Sequence, residues 1–70
     1  MKSVSFNVEE MNAIAIYHGK TRSGTITSML NVAKYIKDED MKNVITSAAT
    51  KLGLLMTDEE FDKTEFTYTE

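Results

Sequence analysis

The stretch Phe6-Asn7-Val8-Glu9-Glu10-Met11 decides the fold. A helix begins with backbone N–H groups that have no partner inside it, and a short polar side chain just ahead of the first turn can accept from them. Asn7 suits that place. Glu10, three residues on, can reach back to the Asn7 amide, so the pair reads as a capping box with Asn where Ser or Thr is usual. Phe6 before the cap and Met11 after it have the spacing of a hydrophobic staple. A helix is therefore expected from Val8. Val8, Met11, Ile14, Ala15 and His18 follow at helical spacing and predict its buried stripe. Gly19 is read as its stop, since helix ends favour glycine in the left-handed conformation.

The same device returns at Met56-Thr57-Asp58-Glu59-Glu60-Phe61, with Thr57 as cap, Glu60 as box partner, and Met56 with Phe61 as staple. It predicts a short helix over Asp58 to Lys63. Six residues are too few to mark a duplicated domain, so the echo is local grammar used twice. Between the two boxes, Ile26, Met29, Leu30, Ala33 and Ile36 repeat at three and four and predict a helix from about Arg22 to Ile36. Thr21 or Ser23 could cap it, while Gly24 in its first turn weakens the start by about 1 kcal/mol relative to Ala, and the Thr and Ser residues at 25, 27 and 28 add nothing to it. Asp38 reads as the cap of another helix, with Glu39 and Asp40 in the first turn where the helix dipole favours acids. Met41, Val44, Ile45, Ala48 and Leu52 predict its buried face, Lys51 falls in its last turn, and Gly53 is read as its stop.

The expected architecture is all-α: a small three-helix bundle with a short fourth, C-terminal helix, one domain over residues 1–70 with its core at about 6–62 and a tail at 63–70. Ser3-Val4-Ser5-Phe6 and Thr64 to Thr69 alternate polar and apolar residues, as strands do. They are expected to be flexible or weakly extended, because an isolated two-stranded ribbon is marginal in water.

Seventy residues bury only about 60% of the surface the unfolded chain exposes. With three Phe, three Tyr and no Trp, the core has to be built from Met, Leu, Ile and Val, and a deep substrate cleft would remove core that so small a domain needs. This argues against an enzyme. The chain has no Cys, so disulfides and thiolate metal ligands are excluded, and a reducing, cytoplasmic setting is expected. No apolar run approaches the ~20 residues of a membrane span, and Met1 to Phe6 lack a signal peptide's apolar stretch.

His18 is the only histidine, so two-histidine metal sites are ruled out. At the end of a helix an imidazolium suits the dipole, and a structural role is expected of it rather than that of a catalytic base. Glu10 and Glu60 are explained by capping, Asp58 and Glu59 by the dipole. Asp38-Glu39-Asp40 lacks the Gly and the closing Glu of a calcium loop. Gly19-Lys20-Thr21 resembles the end of a phosphate-binding loop, but Ile14 stands where the upstream Gly belongs. No catalytic, cofactor or metal residue is assigned, and no small-molecule substrate or membrane is expected.

Charge is uneven. Residues 20–37 hold Lys20, Arg22, Lys34 and Lys37 and no acid, whereas residues 38–70 hold nine acids against three lysines. A basic central segment bracketed by Tyr17 and Tyr35 is a candidate contact face for an acidic partner: Tyr17, Lys20, Arg22, Lys34, Tyr35 and Lys37. Duplex DNA is the other partner such a face suggests. The net charge of −3 and the lack of an Arg-rich reading helix make DNA the lesser expectation.

Phe6 to Tyr17, Tyr35 to Met41, and Lys51-Leu52 followed by Met56 to Phe61, taken in that order and spacing, resemble the putative transposon-transfer assisting protein family. These are short proteins carried by conjugative transposons of Gram-positive bacteria. The resemblance spans roughly residues 6 to 61. The segment Gly24-Thr25-Ile26-Thr27-Ser28 departs from it, being poorer in charge and helix propensity. The resemblance implies an accessory role in transposon transfer; beside it, the expectation is a non-enzymatic module that acts through contacts with another protein of the transfer machinery. A small DNA-binding or transcription-regulating protein of the same element is the alternative.

Overall fold

The computed structural model describes residues 6–66. The expected pairing or fraying at residues 1–5 and 67–70 lies outside the described residues. Among the described residues four helices follow in order: α1 (Val8–Tyr17), α2 (Arg22–Ala33), α3 (Glu39–Leu55) and α4 (Asp58–Lys63). The fold is all-α, a three-helix bundle with a short fourth helix. No helix among the described residues is long and apolar enough to cross a membrane.

Every helix starts where its local chemistry places it. Asn7 Oδ1 accepts from the Glu10 amide at 2.8 Å, and the Asn7 amide donates to Glu10 Oε1 at 3.0 Å. Thr57 and Glu60 make the same reciprocal pair at 3.1 and 2.9 Å. Thr21, not Ser23, caps α2 by accepting from the Gly24 amide at 3.0 Å. The Asp38 carboxylate accepts from the amides of Asp40 and Met41.

Helix ends depart from the expectation. No described glycine has positive φ. Thus α1 ends before Gly19, with extended His18 as its C-cap. Similarly, α3 runs through Gly53 to Leu55, because the next residue, Met56, turns into the core and Thr57 must be free to cap α4. The end of α2 comes at Ala33 rather than Ile36. Tyr35 and Ile36 donate to the carbonyls of Val32 and Ala33 three residues back, and this tightening sets up the extended Asp38 that opens α3.

α3 packs against both α1 and α2, and α4 closes on α2. The core is Ala13, Ile14, Met29, Ala33, Ile45, Ala48, Ala49, Leu52, Met56 and Phe61. On α1 the buried positions are Glu10, Ala13 and Ile14; of the expected stripe only Ile14 is fully inside, Met11 and Ala15 are half-buried, and Val8 and His18 are exposed. Ala13 to Tyr17 is apolar at every position, so periodicity there does not set the helix rotation. Leu30 and Met41, expected inside, are exposed, and Ala49 and Thr25 take buried places instead.

Thr25 is fully buried and satisfied. Its hydroxyl donates to the Thr21 carbonyl at 2.8 Å and accepts from the Gly19 amide at 2.9 Å. A residue that lowers helix propensity thus ties the α1–α2 connection to the first turn of α2. Its role requires a partner six residues upstream, which local reading does not supply.

Candidate functional site

The six candidate contact residues are spread over the two ends of α2. Tyr17 packs, half-buried, against the core at the end of α1. Lys20 is exposed in the α1–α2 connection, and Arg22 opens α2. Lys34, Tyr35 and Lys37 lie beyond the other end of α2, a helix of 12 residues and so about 18 Å long. The first three therefore gather around the α1–α2 connection and the last three in the turn that follows α2. Tyr35 is 84% exposed between two exposed lysines.

Arg22 is held within the fold. Its Nε donates to Asp58 Oδ1 at 2.8 Å, and its Nη1 donates to the carbonyls of Leu52 at 2.9 Å and Gly53 at 3.3 Å. Those carbonyls belong to the last turn of α3, where a helix leaves its oxygens without partners. Arg22 therefore acts as a cap from another helix and ties α2, α3 and α4 together.

Glu10 is 3% exposed. Besides closing the capping box, it accepts from Ser47 Oγ at 2.6 Å and Lys51 Nζ at 2.7 Å, which seats α1 on α3. Burial pushes its carboxyl upward. The hydrogen bonds from Lys51, Ser47 and the Asn7 backbone, with the lysine charge, more than offset that and hold it below its ordinary value. His18 stacks on Phe61 with ring centroids 4.8 Å apart, and Phe66 leans on both rings. Among the described residues no group of three or more potential ligands is placed to hold a metal ion.

A surface that the charge pattern does not mark lies between α1 and the start of α3. Ile16, Tyr17, Met41, Val44 and Ile45 line a cleft of about 410 Å³, and Glu9, Asp38 and Asp40 stand around it. Ile16 is 58% and Met41 49% exposed. The signal in the sequence is faint: Met41 has the spacing of a core residue, and Ile16 is one of five consecutive apolar residues.

A family model described as putative transposon-transfer assisting protein matches residues 6–67. No curated protein and no solved structure matches the chain. The chain belongs to that family.

Proposed function

We propose that this member of the putative transposon-transfer assisting protein family is a non-enzymatic accessory protein, acting in the cytoplasm on a conjugative element by binding another protein of the transfer machinery. The family's description supplies the transfer role. The observation that carries the protein-contact reading is the division of the basic residues. Arg22 is engaged within the fold, and Lys20 stands at the far end of α2 from Lys34 and Lys37. Two lysines around an exposed tyrosine are few for a phosphate-binding face on an acidic chain, because the net charge repels a polyanion at long range. They suit the rim and anchor of a small protein contact, where tyrosine contributes apolar area at low entropic cost.

Photo-crosslinking from position 35 in cells transferring the element tests this. Adducts to one protein partner, lost in Lys34→Glu/Lys37→Glu, are expected. In parallel, duplex DNA from the element is expected to bind no tighter than about 10⁻⁴ M at physiological salt. Adducts to DNA, or sub-micromolar duplex binding lost in the same double variant, would overturn the reading in favour of a DNA-binding regulator. Lys34 and Lys37 are the informative pair, since changing Arg22 would also remove a helix cap.

A further inference from the structure

We propose that the cleft between α1 and the start of α3 is a docking groove for a basic, amphipathic helix of a protein partner. The inference rests on the protein-contact reading and adds a second surface, opposite in charge to the Tyr35 turn.

Scattered exposed apolar residues are ordinary on a protein surface, whereas contiguous ones in a concave site mark a place of contact. Here Ile16 and Met41, each about half in water, share one cleft with half-buried Tyr17 and Val44. The cleft opens between two helices, and α1 with its ten residues is about 15 Å long. That length accommodates two to three turns of a partner helix, which would present apolar residues at i, i+3 or i+4, and i+7. Met41 adds a flexible side chain able to adjust to the shape of such a ridge.

Charge selects the occupant. Glu9, Asp38 and Asp40 stand around the cleft, and no Lys, Arg or His is among the residues lining it. The Asp38 carboxylate accepts from two backbone amides as a helix cap. An apolar helix with acidic flanks would set like charges against these three groups, whereas lysine or arginine flanks would complement them and discriminate against the acidic alternative.

The test is a titration of the isotope-labelled full chain, followed by amide chemical shifts, with a synthetic helix of about three turns carrying a leucine ridge and lysine flanks. A second peptide keeps the ridge and replaces the lysines with glutamates. Shifts centred on Ile16, Met41 and Val44 are expected, with the lysine peptide binding about tenfold more tightly. Glu9→Gln/Asp40→Asn should narrow that preference, and Ile16→Ala/Met41→Ala should weaken both peptides. These positions are exposed enough for the variants to fold, and the two-peptide comparison on the parent protein decides the matter without any variant.

Equal binding of the two peptides, or shifts centred on Lys34 to Lys37, would overturn the proposal. So would self-association by sedimentation that disappears in Ile16→Ala/Met41→Ala, since a second copy would then occupy the groove. Crosslinking from position 35 reads the partner in cells, whereas the titration reads shifts at Ile16, Met41 and Val44 residue by residue, so failure there and failure here are distinguishable.

Discussion

Lys51 Nζ lies 2.7 Å from Glu10 Oε1, the oxygen that also accepts from the Asn7 amide and so closes the capping box of α1. One carboxylate therefore starts α1 and fastens it to α3. Lys51 was expected to serve the dipole in the last turn of its helix. Because α3 continues to Leu55, it lies farther from the terminus and projects to Glu10, with its ammonium 5.8 Å from the Phe6 ring centroid.

The two capping boxes should therefore differ in energy. Asn7→Ala and Thr57→Ala are each expected to cost about 1 kcal/mol, the ordinary value of a cap. Glu10→Ala should cost about 3 kcal/mol, because it strips a buried network of its acceptor as well as the box of its partner. Glu60→Ala should stay within about 0.5 kcal/mol of the parent, since Glu60 is exposed and holds only the box. Urea melts of the four variants check this, and equal costs at Glu10 and Glu60 would refute it.

Acid should weaken the fold through Glu10. Its folded-state pKa lies below the ordinary 4.5, so the folded chain binds fewer protons than the unfolded one in the window beneath that value. Glu10's contribution is complete above the unfolded value and is lost as pH falls through the lower, folded one. Glu10→Gln should flatten the decline in stability below about pH 5 relative to the parent. Chemical melts from pH 6 downward measure the two slopes, and parallel slopes would rule out Glu10 as the source.

Gly53→Ala should stabilise the domain. Gly53 lies in the last turn of α3 without positive φ, and a Cβ there would meet only Ile26 Cδ1 at 3.6 Å, an ordinary contact. Alanine is favoured over glycine by about 1 kcal/mol in a helix interior and by less in a last turn, and about 0.5 kcal/mol in a domain this small raises Tm by roughly 2–4 °C. A thermal melt decides, and a lowered Tm would mean that the helix does end at Gly53.

Arg22 and Asp58 should not be equal partners. Asp58 is 79% exposed and Arg22 only 21%, and the guanidinium also serves two carbonyls of α3. Asp58→Asn should change stability by about 0.5 kcal/mol or less, as exposed ion pairs do. Arg22→Met should cost about 1–2 kcal/mol through the uncapped helix end. Arg22→Lys should recover only part of that, because an ammonium cannot reproduce the fork. Denaturant midpoints of the three variants give the order.

Three helix starts were legible in the residues because a cap is a local device: Asn7, Asp38 and Thr57 each find their amide within three residues, while at α2 the residues left Thr21 and Ser23 open and the structure takes Thr21. Helix ends and rotations were not. Gly53 carries the usual sign of a stop, yet the helix passes through it, because burial of Met56 and the start of α4 set where α3 can end. The candidate contact face was read as one basic segment because its residues are near in sequence. In space α2 divides it, and Arg22 turns to α3 and α4.

The sequence by itself determined that Asn7 with Glu10 and Thr57 with Glu60 would each open a helix, since both boxes close through contacts three residues apart. Only the tertiary structure decided that the first would be buried under Ser47 and Lys51, 37 and 41 residues away, while the second stayed in water. The physical reason is that a hydrogen bond between near neighbours needs only the right side chains in order. Desolvation, and with it the worth of a charge, depends on what the rest of the chain lays over it.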